Sequence, residues 1–149
     1  MSGKVVTQIG KSDVSGTQTY TEGGQEYRTF VAAGSITAGD FVSFALDVAT
    51  VEGVCKVVQS PVVSTGDPTC VGIATQTVTS GQLVQVLVKG FYATANCSAA
   101  SAGLALIPAG TTAGRAEAMA ATDTCGQIGI SCGAATSNVG PVYLFGGRG

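Results

Sequence analysis

From Tyr27 onward, apolar and β-branched residues fall in short runs separated by turn residues, the text of a strand-rich chain. The runs are Tyr27–Val31, Phe41–Leu46, Val54–Val58, Cys70–Ala74, Leu83–Val88, Leu104–Ile107, Gln127–Ile130 and Val142–Phe145. Leu83-Val84-Gln85-Val86-Leu87-Val88 is almost continuously apolar, which predicts a strand covered on both faces. Spacings of roughly ten residues with glycine-rich turns predict an all-β compact sandwich or barrel. Before Tyr27 the pattern is different. Residues 1–26 are polar and rich in Gly, Ser and Thr, with Val5, Val6, Ile9, Val14 and Tyr20 as isolated apolar points. Such a stretch has little to bury alone and reads as an extended N-terminal arm.

The runs also repeat. Gly72-Ile73-Ala74 lies over Gly129-Ile130-Ser131 at an offset of 57, and the alignment continues without gaps to Gly90 over Gly147, with Leu87 over Leu144. Upstream, Thr37-Ala38-Gly39 lies over Ser101-Ala102-Gly103 at an offset of 64. Gly53–Val58 lies over Gly114–Met119 at an offset of 61. Offsets that shrink in order describe the same strands joined by shorter loops, so the chain reads as an internally duplicated β unit. The expected division is an arm over 1–26, a first unit over 27–95 and a second over 96–149. Within the second, Ala113–Thr122 has helical composition. Its counterpart is strand-like and threonines flank it, so a strand or irregular edge is expected, a short helix being the alternative.

Composition narrows the function. Only 11% of the 149 residues are charged and 45% are hydrophobic. Average soluble proteins carry roughly 25% charged residues, so this surface is either neutral or covered by other chains. A net charge of −2 lacks the basic footprint that nucleic acid demands. No apolar run reaches the roughly 20 residues of a membrane-spanning helix. Gln8, Lys11 and Asp13 interrupt any secretory apolar segment, from which synthesis in the cytoplasm is expected. The five cysteines (Cys55, Cys70, Cys97, Cys125, Cys132) are then read as reduced, small hydrophobes. With no histidine and no C-x-x-C spacing, no metal or cofactor is expected.

Chemistry fares no better. Gly129-Ile130-Ser131-Cys132-Gly133 matches the G-x-S-x-G nucleophile elbow, but that motif needs a histidine to accept the serine proton, and the chain has none. Gly10-Lys11-Ser12 resembles the end of a phosphate-binding loop, yet Val5 stands where its first glycine belongs. Asp40 and Asp67 sit in Gly-Asp turns, where a carboxylate satisfies backbone amides. Asn96-Cys97-Ser98 is formally a glycosylation sequon. No catalytic set assembles from these parts.

One cadence is more specific. Ile36-Thr37-Ala38-Gly39-Asp40-Phe41-Val42, then Cys70-Val71-Gly72-Ile73-Ala74, then Ser80–Phe91 (SGQLVQVLVKGF) resembles the small capsid decoration and head-fibre proteins of tailed bacteriophages. The resemblance implies a non-enzymatic virion protein on the outer surface of the head, homotrimeric, stabilising the capsid by binding the major capsid protein. It further implies that the arm carries the contact, which makes Val5, Val6, Ile9, Lys11 and Tyr20 the candidate partner-binding residues. Pairing of an arm with a partner sheet uses main-chain hydrogen bonds and needs no reactive group. The alternative is a receptor- or glycan-binding module of a phage tail or fibre, which predicts exposed rings among Tyr20, Tyr27, Tyr92 and Tyr143.

Overall fold

β-Branched and aromatic residues favour extended structure in the longer strands, whereas short ones such as Ala116–Ala118 are held by pairing with a neighbour. The computed structural model describes residues 19–22, 24–46 and 56–146. Its strands are β1 (Thr19–Glu22), β2 (Gln25–Ala32), β3 (Phe41–Phe44), β4 (Lys56–Gln59), β5 (Cys70–Ala74), β6 (Leu83–Asn96), β7 (Ala105–Pro108), β8 (Ala116–Ala118), β9 (Gly129–Ser131) and β10 (Val139–Leu144). No helix occurs among the described residues, and Ala116–Ala118 is a strand paired with β7, so the helical composition around it yields to the ladder. The expected all-β fold is the observed one.

The ten strands hydrogen-bond in the order β1-β2-β4-β3-β5-β6-β10-β9-β7-β8, and β2 also pairs with β6. That extra pairing closes β2-β4-β3-β5-β6 into a five-stranded barrel, which leaves those strands no free edge. Its interior is Phe30, Ala32, Ile36, Val42, Val57, Ala74, Val78, Val84 and Val86. The long strand β6 ties this barrel to the rest. Up to Lys89 it faces Glu26 of β2; from Gly90 onward it faces β10, with Gly90 opposite Leu144. Gly90 takes φ +119°, and a Cβ there would stand 2.8 Å from the Gln25 side chain, so the change of partner falls where only glycine fits.

The second half repeats the first in its hydrogen bonds. The β3–β5 pairs Phe41↔Ile73 and Val42↔Gly72 recur as the β7–β9 pairs Ala105↔Ile130 and Leu106↔Gly129. These are the offsets of 64 and 57 expected from the sequence. Loop bonds recur too. Gly39 N–H donates to Ala74 O (2.8 Å) as Gly103 N–H does to Ser131 O (2.8 Å), and Ala33 to Val57 (2.8 Å) as Ser98 to Ala116 (3.0 Å). Likewise Ala45 donates to Lys56 (3.0 Å) as Ala109 to Arg115 (2.7 Å), and Thr75 to Gln85 (2.9 Å) as Cys132 to Pro141 (2.8 Å). Two details differ from the gapless reading. Val57 is equivalent to Ala116, an offset of 59 where 61 was expected. Leu87 is equivalent to Tyr143, because Gly72 approaches the Leu87 carbonyl as Gly129 approaches that of Tyr143.

The first repeat is thus β2 to the first half of β6, and the second is the remainder of β6 with β7 to β10. A parallel bridge, Cys97↔Ala116, brings the two edges of the second repeat together, as Ala32↔Val57 does in the first. The expected boundary at 95/96 falls at the end of the shared strand. Of the segment read as an arm, 19–22 form β1 and 25–26 open β2; residues 1–18 and 23 lie outside the described residues.

The two interiors differ in bulk. Phe30, Ile36 and Val57 of the first are replaced by Ala95, Ala99 and Ala116, and Val84 by Gly140. The second core instead continues into Phe41, Ile73 and Leu87, which point outward from the first barrel and are fully buried with it in one cluster. Each such side chain contributes about 1.5–3 kcal/mol of burial. The repeats therefore share a core and act as one body.

Candidate interaction surfaces

Of the residues expected to bind a partner, Val5, Val6, Ile9 and Lys11 lie outside the described residues. Tyr20 is in β1, opposite Tyr27 of β2 in an antiparallel ladder. Among the described residues β1 pairs with β2 alone and stands at the end of the strand order.

Of the motifs weighed for chemistry, Gly10-Lys11-Ser12 lies outside the described residues, while Ser131, Asp67 and Asp40 are held in hydrogen bonds within the fold. Ser131 is buried in β9, where its hydroxyl donates to Ser101 O (2.6 Å) and accepts from Leu104 N–H (3.0 Å). It sits in a strand with no helix following, which is not the geometry of a nucleophile elbow. Asp67 is buried, accepting from the Ser43 hydroxyl and from the backbone (2.9 Å) and hydroxyl (2.7 Å) of Thr69. Because Ser43 donates to Asp67, Ser60 donates the 2.5 Å bond between the two serines.

Asp40 lies where the repeats meet. It accepts from Thr37 N–H (3.2 Å), Gln59 Nε2 (2.9 Å) and Asn96 Nδ2 (3.0 Å), and Asn96 in turn accepts from Arg115 Nε (3.0 Å). The formal sequon asparagine is thus held in a polar latch between the repeats. Sequence reading found Asp40 as a turn residue and missed its two long-range partners, which no local pattern encodes.

The reading of the cysteines as buried small hydrophobes holds for two of them, and Cys55 lies outside the described residues. Cys70 and Cys97 are buried, Cys125 is half-buried and Cys132 is exposed. Burial pushes the Cys97 thiol above its ordinary value, with the Ala99 N–H on its sulfur (3.4 Å) pulling the other way. Among the described residues no three metal-binding side chains converge.

Two surface features remain. A groove of about 200 Å³ opens between the start of β2 (Glu26, Arg28), Phe44, Val71, Val88 and Leu144. It is smaller than the roughly 300–1,000 Å³ that drug-sized ligands occupy. The other is apolar: Phe91 (43% exposed), Tyr143 (36%) and Phe145 (44%), with the Tyr143 and Phe145 rings 6.5 Å apart. Tyr27 and Tyr92, expected at the surface of a glycan module, are half-buried against the core.

The molecule is therefore an all-β tandem repeat that offers surfaces and edges. No family model matches the sequence, and no curated protein matches it. The fold does have a solved counterpart. The N base of the head fibre gp8.5 of bacteriophage phi29 superimposes with a TM-score of 0.55, covering 79% of this chain and 92% of that one at 16% identity. At that identity the likeness is one of fold.

Proposed function

We propose that this chain is a structural protein of a phage virion. On this reading it decorates and stabilises the head by binding the major capsid protein lattice through its N-terminal residues and an oligomeric β core. The observation that carries the proposal is the shared fold, which spans 92% of the phi29 head-fibre base. The interior supports it from the other side: Ser131, Asp67 and Asp40 are engaged in buried or half-buried hydrogen bonds within the fold. A decoration protein draws its affinity from main-chain pairing and apolar contact, and linking several copies multiplies it without any new contact.

The test is co-sedimentation with empty shells of the major capsid protein from a phage that encodes this chain. The full chain is expected to saturate the shells at a fixed ratio. A chain lacking residues 2–18, which keeps β1 and the whole sheet, is expected to stay folded and lose binding. Full occupancy by the truncated chain overturns the role of the arm, and no binding by either overturns the proposal.

A further inference from the structure

The duplication allows each surface of one repeat to be compared with its counterpart in the other. On the outside of the first barrel, one row of residues crosses the sheet from strand to strand. Tyr27 faces Leu87, Leu87 faces Ile73, Ile73 faces Phe41, and the Phe41 carbonyl accepts from Ser60 N–H. Leu87, Ile73, Phe41 and Ser60 in this row are all 0% exposed. What covers them is the second repeat, a copy of the same unit.

The second repeat has the same row. Phe91 faces Tyr143, Tyr143 faces Ile130, Ile130 faces Ala105, and the Ala105 carbonyl accepts from Met119 N–H. Among the described residues this row is far less covered: Phe91, Tyr143 and Met119 are 43%, 36% and 36% exposed, Phe145 extends the row at 44%, and Ile130 and Ala105 are half-buried. The row is apolar throughout and carries no charge. At about 4.8 Å between strands it runs roughly 19 Å across five of them. An exposed patch with aromatic anchors of this kind marks an interaction site.

We infer that this row on the second repeat is the surface through which the chain associates with further copies of itself, row against row about a symmetry axis. Two observations choose the occupant. Within the chain, the equivalent row is already covered by a copy of the same unit, so unit-on-unit burial of this face is how the fold solves the problem once. The inner face of the second repeat, which does that covering, is filled by Phe41, Ile73 and Leu87 and cannot serve a neighbour. An uncharged apolar row is matched by another such row, and a self-complementary patch closes under rotational symmetry. The inference deepens the oligomeric half of the proposed function and rests on that reading only there.

The experiment is native mass spectrometry of the full chain over a micromolar dilution series, beside the variant Phe91→Thr/Tyr143→Thr. Threonine keeps strand propensity while removing both rings. The wild type is expected as a closed oligomer, and the variant as a monomer with unchanged circular dichroism, associating at least about tenfold more weakly, as loss of aromatic anchors implies. As a second measurement that leaves packing intact, a photoreactive phenylalanine analogue at position 145 is expected to cross-link copy to copy. A monomeric wild type, or a variant that assembles like it, overturns the inference. A row variant that keeps its oligomer but no longer binds capsid shells also overturns it, assigning the face to the capsid protein and leaving the proposed function standing. Binding of a glycan that Tyr143→Thr abolishes overturns both. An oligomer that binds no shell sustains the inference and sinks the capsid reading.

Discussion

Gly72→Ala tests whether the two repeats are packed alike. A Cβ on Gly72 would stand 2.1 Å from the carbonyl oxygen of Leu87 on the neighbouring strand, where real contacts stay beyond 3.0 Å, so β5 and β6 must part by at least 0.9 Å (3.0 − 2.1). The obstacle is backbone, which cannot rotate aside. Opening a ladder bond of about 2.9 Å by that amount takes it to about 3.8 Å, beyond hydrogen-bonding range. Overpacking costs about 1–3 kcal/mol, and a buried backbone group left unsatisfied about 1–3 kcal/mol more. A loss near 3 kcal/mol is expected, a drop of roughly 6–12 °C in Tm for a chain of this size. Gly129→Ala, whose Cβ would stand 2.2 Å from the Tyr143 carbonyl, should cost a similar amount in the same single transition. Gly34→Ala is the control, with nothing within 4 Å and no positive φ. Chemical denaturation followed by far-UV circular dichroism measures all three. Stability of Gly72→Ala within about 0.5 kcal/mol of wild type would refute the close-approach argument.

Three further outcomes follow from the interior. Asp40→Ala leaves Thr37 N–H, Gln59 and Asn96 without their shared acceptor and should cost about 2–4 kcal/mol in thermal or denaturant unfolding. With its thiol raised by burial, folded Cys97 holds its proton where the unfolded thiol has lost it. Unfolding free energy should therefore fall as pH rises from about 8 toward 10, and Cys97→Ala should flatten that slope. In a native thiol titration, Cys132 should react first among the described cysteines, while Cys70 and Cys97 react only on unfolding.

Much of the fold was legible because strands here are short and their apolar runs continuous. Cys70–Ala74 was read to the residue, and Tyr27–Val31 and Phe41–Leu46 to within a few. β6 was read only to Val88 because beyond Gly90 it passes between partners and alternates Phe91-Tyr92-Ala93-Thr94, losing the continuous apolar signature. β1 went unseen, since Thr19-Tyr20-Thr21-Glu22 has no apolar run and owes its strand to pairing with β2. The duplication showed in its glycines and turns but not in its core, where alanines replace Phe30, Ile36 and Val57. The offset of 61 missed the observed 59 by two residues, which keeps every side chain on the same face and so leaves the hydrophobic pattern unchanged. The exposed row was illegible for a different reason. Ile130 and Ile73 read alike in sequence, and only the position of the second repeat decides which of them is covered.

The proposed function makes the chain a component of the virion head. Quantitative mass spectrometry of density-purified particles tests it most directly, using a phage that encodes the chain and comparing full heads with heads emptied of DNA. The account predicts the chain at one fixed ratio to the major capsid protein in both. Its absence from particles, while abundant in the infected-cell lysate, would contradict the account.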